Sequence, residues 1–507
     1  MFSSWSSFLL TCLIGLLGIF YLRAKWKLSY WQRRGIPSLP TNLIFGNFKD
    51  SFLLKIAPGF LLGRLYSEAK EDDAFIGVYI LHQPFLLLRS PDLIKKILVK
   101  DFAAFPNRFF ASPRDSTDLV GSRGLFSIHN PEWRYLRTKL SPTFTTGKLK
   151  SLFNLMLESS EFLNSYMKKR FDGDDNAVKK FEFKDTSTRF TTDVISSLAF
   201  GIRTNSFEDP PPEFYTRSRG PFTMTILRAL RLSSAFFFPG LSKYLGGSML
   251  GENTDYFRKV FWNSMNSREE GKYERGDVID GLLKLKNDKS EDGFEIQGDT
   301  LVAQSAIFFV AGLETSSTTM AFTLWELAKQ PEIQKRLRSH ILENLGDGRK
   351  ITYESVQNMK YLMAVINETL RMYPPAPLID RVADRDYKIP GTQVVLEKGT
   401  VVYVALPGIQ MDPKYFSDPK IYDPDRFSEE RKSDIKPFTF MPFGEGPRIC
   451  IGLRVGMLQT AVGLITILRD YEVLLNPRYT TNGVSPRSAF TIPAAGILLD
   501  VKKISND

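Results

Sequence analysis

Cys450 stands in Phe443-Gly444-Glu445-Gly446-Pro447-Arg448-Ile449-Cys450-Ile451-Gly452, and no other stretch constrains this chain as strongly. The 507 residues include two cysteines, and the second, Cys12, lies in an apolar N-terminal run. A disulfide framework or a multi-cysteine metal or cluster site is therefore excluded from the globular part. A lone cysteine is commonly just a small buried hydrophobe, but glycines, a proline and an arginine surround this one. Leu453–Leu468 has helical periodicity and no proline. That places Cys450 at a helix N-terminus, where the dipole favours the thiolate. Gly444 and Gly446 permit left-handed turns that aim backbone N–H groups at the sulfur. Gly452, without a Cβ, allows close approach of a flat ligand, Phe443 can keep water out, and Arg448 can pair with a carboxylate.

The bulk of the chain suits one large domain. Apolar residues make up 43% of it, with 40 Phe, and no linker or fixed-period repeat divides the sequence. Lys and Arg number 67 against 56 Asp and Glu, a net charge of +11. No RGG tract or long basic block points to nucleic acid. The densest basic cluster, Arg23, Lys25, Lys27, Arg33 and Arg34, directly follows an uncharged run from Phe2 to Leu22. About 20 apolar residues suffice to span a bilayer. A cleaved signal peptide is the rival reading, but the positive charge follows the run, and no small-residue cleavage site closes it. The positive-inside rule then puts Met1 in the lumen and the rest of the chain in the cytosol. Gly35-Ile36-Pro37-Ser38-Leu39-Pro40 reads as a stiff, non-helical connector.

Apolar spacings of three and four predict helices over 148–169, 186–199, 299–329, 331–344 and 353–372. Strand signals are short: 75–88, 394–395, 401–404, 471–475 and 497–501. Prolines at 413, 419, 424 and 437 make 407–442 an irregular meander. The fold class is mostly α (α+β), a large helical body with a smaller β-rich region and an N-terminal transmembrane helix.

The Phe443–Gly452 segment resembles the cysteine-ligand loop of the cytochrome P450 family of haem-thiolate monooxygenases, with Phe443, Gly446, Arg448, Cys450 and Gly452 in register. The resemblance implies haem b (iron protoporphyrin IX), with Cys450 as axial ligand of the iron. Ala311-Gly312-Leu313-Glu314-Thr315 lies inside the long apolar helix. A glycine there costs helix stability and permits a local opening, although a packing notch is the plainer reading. By resemblance it is the oxygen-activating groove. Ala311 belongs to it, Gly312 makes room for dioxygen, Thr315 supplies a hydroxyl, and Glu314 helps relay protons. Glu368 and Arg371, at i and i+3, form with Arg426 the triad that the family uses as structure. Trp133 and Arg137 share a helix face and, with Arg381, resemble the family's haem-propionate contacts. A departure is Gln410, where a His is usual ahead of Asp412-Pro413.

No G-x-G-x-x-G after a strand and no phosphate-binding loop is present, so nothing suggests a bound flavin or nicotinamide. The three histidines are scattered without H-E-x-x-H spacing, against a zinc hydrolase. The resemblance therefore implies electrons from NADPH-cytochrome P450 reductase, with cytochrome b5 as a further partner, and an endoplasmic-reticulum address. It divides the chain into an anchor (1–22), a basic, proline-rich hinge (23–40) and a catalytic domain (41–507). The insect microsomal, xenobiotic-metabolising branch is the nearest in flavour, from Thr192-Asp193-Val194-Ile195 and Phe309–Ser317. Expected substrates are small lipophilic molecules: a xenobiotic, plant toxin or insecticide, or an endogenous lipid or hormone. Expected pocket walls are 102–125, 308–315, 378–379 and 488–490, with Ala235–Phe238 as a candidate membrane-dipping lip. Two alternatives stay open: a haem-thiolate isomerase or synthase acting on peroxides, and a non-catalytic haem-based sensor.

Overall fold

A computed structural model describes residues 2–109, 118–223, 225–237, 249–288, 296–476, 478 and 483–504. The helices that shape the site are α1 (Phe2–Leu28), α2 (Glu132–Leu140), α3 (Thr146–Arg170), α4 (Phe183–Ala199), α5 (Ile226–Phe237), α6 (Asp299–Lys329), α7 (Lys360–Met372) and α8 (Leu453–Leu468). The strands are β1 (Phe75–Ile80), β2 (Gln83–Leu88), β3 (Val178–Glu182), β4 (Leu378–Val382), β5 (Tyr387–Lys388), β6 (Val395–Leu396), β7 (Val401–Ala405), β8 (Tyr471–Leu474) and β9 (Leu498–Lys503).

Helix α6 runs through the middle of the helical body and packs most extensively against α4. It is long and apolar enough to cross a membrane, yet its apolar residues are the protein's core. Helix α1 passes the same length test with its apolar residues outward: Phe8, Leu9, Leu16 and Leu22 are all exposed. It continues past Leu22 through Arg23, Lys25 and Lys27 to Leu28, further than the uncharged run suggests.

The connector after α1 is seated on the sheet. Trp31 is buried, and its indole fills the space that a side chain on Gly77 would need, since a Cβ there would sit 2.2 Å from the ring. The Gly77 N–H donates to Pro37 O at 2.8 Å, and Tyr30 and Arg34 both reach Glu397, at 3.0 and 2.5 Å. The main sheet has the order β1-β2-β7-β4, with β2 and β7 parallel and the other pairs antiparallel. A second sheet, β3-β9-β8, is antiparallel and closes the far end of the helical body, and β5 pairs with β6.

Three sequence expectations are corrected. The helix predicted over 353–372 is two helices, Tyr353–Asn358 and α7, broken at buried Met359. Strand β4 escaped periodicity because Asp380 and Arg381 are charged yet buried, and β3 because three of its five residues are charged. Of the 235–238 lip, Phe238 and the side chains of Ala235 and Phe236 lie outside the described residues. Phe237 is core, edge-on to Phe48 at 5.3 Å and to Tyr403 at 6.4 Å.

Candidate active site

The loop before α8 doubles back twice. Gly444 and Gly446 take φ of 74° and 76°, and a Cβ on Gly446 would lie 2.1 Å from the Leu98 carbonyl oxygen. The Cys450 N–H donates to Phe443 O and the Ile449 N–H to Gly446 O, both at 2.9 Å. Gly452 caps α8, and its N–H donates to the Cys450 sulfur. Burial pushes the thiol up, while that N–H, Arg137 and Arg108 draw it back. Protein surrounds Cys450, yet its surface is accessible, because it forms the wall of an internal cavity of about 1180 Å³. Gly452 and Phe443 line the same cavity, and a Cβ on Gly452 would meet nothing within 4 Å.

Arginines converge on this wall from separate elements. Trp133 and Arg137 come from α2, Arg381 from β4, and Arg448 from the cysteine loop. Arg448 lies 4.2 Å over the Trp133 ring and donates to Pro106 O at 2.6 Å and Ile128 O at 3.1 Å. Arg108, which sequence reasoning missed, sits 3.5 Å from Asp380 and stacks on Phe126. Burial, then repulsion from Arg108 and Arg381, pushes Arg448 down to about 8. Burial, then repulsion from Arg108, pushes Arg381 down to about 9, and Asp380 opposes both shifts. Guanidinium groups stay protonated in proteins, so these shifts mark positive charge that Asp380 does not neutralise. Among the described residues the buried Arg381 Nε has no hydrogen-bond partner.

Helix α6 supplies another wall of the cavity, with Ala311, Gly312, Glu314 and Thr315. The helix is unbroken here, without the local opening that Gly312 allows. A Cβ on Gly312 would lie 2.5 Å from Ile195 Cδ1 of α4, so the missing side chain serves helix packing. Ala311 and Gly312 both line the cavity, and Ala311 is the more exposed of the two. The Thr315 hydroxyl donates to Ala311 O at 2.6 Å. The Glu314 carboxylate pairs with Lys184 of α4 at 3.0 Å and accepts from Thr318 at 3.3 Å. Lys184 also donates to Thr188 and Ser317, so its ammonium has three acceptors.

Residues 44–501 match the family model for cytochrome P450. The chain belongs to the cytochrome P450 family. It is 43% identical to "Cytochrome P450 6k1" of Blattella germanica, over 89% of this chain and 88% of that one. It is 36% identical to "Probable cytochrome P450 6g2" of Drosophila melanogaster, over 97% and 98%. "Cytochrome P450 6j1" of Blattella germanica is also 36% identical, over 96% of each. The insect branch expected from the sequence is thus borne out, as is the P450 monooxygenase class. The family's haem fits what surrounds Cys450. A flat ring finds no Cβ on Gly452, and two carboxylates would answer the excess charge on Arg108, Arg381 and Arg448 and the lone Arg381 Nε.

In this P450 the Glu368–Arg371–Arg426 cluster is buried and lies outside the cavity lining. Arg371 grips Glu368 with two bonds of 2.7 and 2.8 Å, and Arg426 approaches Glu368 at 3.5 Å. Gln410 belongs to the same network. Its amide donates to Arg371 O at 2.9 Å and Leu370 O at 3.2 Å, and its carbonyl accepts from Met441 N–H at 3.1 Å. The residue that departs from the family pattern thus ties the end of α7 to the start of the cysteine loop. The remaining cavity wall includes the expected Leu378, Ile379 and Phe490, plus Arg108, Asp118, Gly121 and Leu125 from 102–125, of which 110–117 lie outside the described residues. Sequence reasoning missed the contribution of α5 and of 249–253.

Proposed function

We propose that this P450 is a membrane-anchored monooxygenase that inserts one oxygen atom of O2 into small lipophilic molecules, with electrons from NADPH through a separate reductase. The observation that carries this reading is one cavity bounded by Cys450, an under-neutralised arginine cluster and the Ala311–Thr315 face of α6. Cys450 would hold the iron of haem b through its sulfur. Phe443 and Gly452 would bound the ring, and Arg448, Arg381, Arg137 and Trp133, with Arg108, would hold its carboxylates. When bound, haem would supply the redox-active iron for oxygen chemistry. Thr315, whose hydroxyl donates to Ala311 O, presents its oxygen to the cavity, and Glu314 beside it, paired with Lys184, would help relay protons. The Glu368, Arg371 and Arg426 triad and Gln410 keep the loop in register.

The exposed apolar face of α1 and its following cations support an anchor in the endoplasmic-reticulum membrane, with residues 41–507 as the catalytic domain on the cytosolic side. The seated connector makes 23–40 a joint more than a swinging hinge. A reductase is the electron donor, with cytochrome b5 a second candidate donor.

The test is the carbon-monoxide difference spectrum of the reduced protein. A strongly red-shifted Soret band is expected, and Cys450→Ser should abolish it while haem is still present. Persistence of that band in Cys450→Ser would overturn the ligand assignment.

A further inference from the structure

The cavity that starts at Cys450 has a second charged region on α5. Arg228 and Arg231, one turn apart, both line it. They are separate from the cluster at the thiol: the cations acting on Cys450 are Arg137 and Arg108. Arg228 is half-buried, and its hydrogen bonds go to backbone carbonyls, Pro221 O at 2.9 Å and Met249 O at 3.0 Å. Among the described residues no carboxylate pairs with it, and Arg231 raises the local charge further. Asp118 and Glu252 line the same region; Glu252 is exposed and not paired with Arg228, and the Asp118 carboxylate is occupied by the Gly121 and Met249 N–H groups at 3.0 and 2.7 Å. Between α5 and Cys450 the walls are dominated by apolar side chains such as Leu125, Phe126, Ile307, Phe308 and Phe490.

A half-buried guanidinium with no counter-ion among the described residues, lining a largely apolar chamber, suits an anion carried on an apolar body. We infer that the substrates of this enzyme include amphipathic carboxylates, apolar chains whose carboxylate is held by Arg228, with Arg231 adding field, while the chain reaches toward Cys450. The inference rests on the monooxygenase reading above and narrows its substrate class. It also orients the reaction. The carboxylate is fixed at α5, so carbons remote from it meet the oxidising centre.

The experiment is a spin-state titration of the full-length holoprotein with dodecanoate and with methyl dodecanoate at neutral pH, where only the acid is charged. Partition into detergent differs between the two ligands, so the readout is the acid-to-ester affinity ratio compared across variants. The ratio is expected to fall about tenfold or more in Arg228→Ala, to be largely kept in Arg228→Lys, and to fall less in Arg231→Ala, with ester binding preserved throughout. The carbon-monoxide spectrum of each variant separates the two levels. If the red-shifted band is absent from the unsubstituted protein, the monooxygenase reading fails. If the band is present but the ratio is the same in Arg228→Ala, the carboxylate site is overturned.

Discussion

Single residues decide whether the cysteine loop keeps its shape. Gln410 is fully buried and satisfies two carbonyls and one N–H on two elements. Gln410→Ala leaves all three groups without a partner and is expected to cost about 3 kcal/mol. The thermal midpoint should fall and haem should be lost faster at 37 °C. A midpoint unchanged from the parent would refute the role. Asp193 poses a different question. It is buried beneath the 204–206 turn, and its carboxylate accepts from the Ser206 N–H at 2.9 Å and the Thr204 hydroxyl at 2.9 Å. Burial nevertheless pushes it up to about 7. The folded state thus holds this proton more tightly than the unfolded chain, where an Asp titrates near 3.9. Stability from this group is greatest below about pH 4, declines as pH rises toward 7, and is flat above. Denaturant melts of the protein and Asp193→Asn across pH 4–8 should differ by a quantity that follows this curve. At this scale the Cys450 loop was legible because its parts are contiguous. Arg108 was not, since a lone arginine between asparagine and phenylalanine carries no period and meets Asp380 only after folding.

Helices and strands fix where those residues meet. The α4–α6 contact is close because Gly312 admits Ile195, so Gly312→Ala should cost about 1–3 kcal/mol by overpacking. Adding Ile195→Val, which removes the clashing Cδ1, should recover part of that loss in a thermal melt. Recovery of stability without recovery of turnover would show that Gly312 also serves the oxygen site. The 299–329 helix was readable from sequence to its last residue because it is apolar on nearly all sides. Strand β4 was not, because the element that carries Arg381 breaks the apolar alternation by which strands are found. Its charges are buried because they face the site, so function hid the element from a reading based on hydropathy. The break at Met359 was equally invisible: neither proline nor glycine marks it, and only the packing of a buried methionine between two helices does.

For the whole molecule, the cavity couples folding to its ligand. Beyond what Asp380 offsets, Arg108, Arg381 and Arg448 repel one another inside the protein. Stripping the haem should lower the thermal midpoint, and sulfate should raise the midpoint of the apoprotein more than that of the holoprotein, since an anion then relieves the crowding. Equal shifts in differential scanning would argue against the cluster as the cause. The long apolar helix at the start of the chain was readable from composition, but the seat of the connector was not, because it depends on the absence of a side chain at Gly77. That seat has a mechanical consequence. Trp31 on Gly77 and Arg34 on Glu397 tie the segment after α1 to the sheet side of the molecule, and β1 is joined through β2 and β7 to β4. A sideways force on α1 therefore arrives as torque on a four-strand shaft whose last strand bears Arg381, so the tilt of α1 and the shape of the cavity are two readings of one linkage.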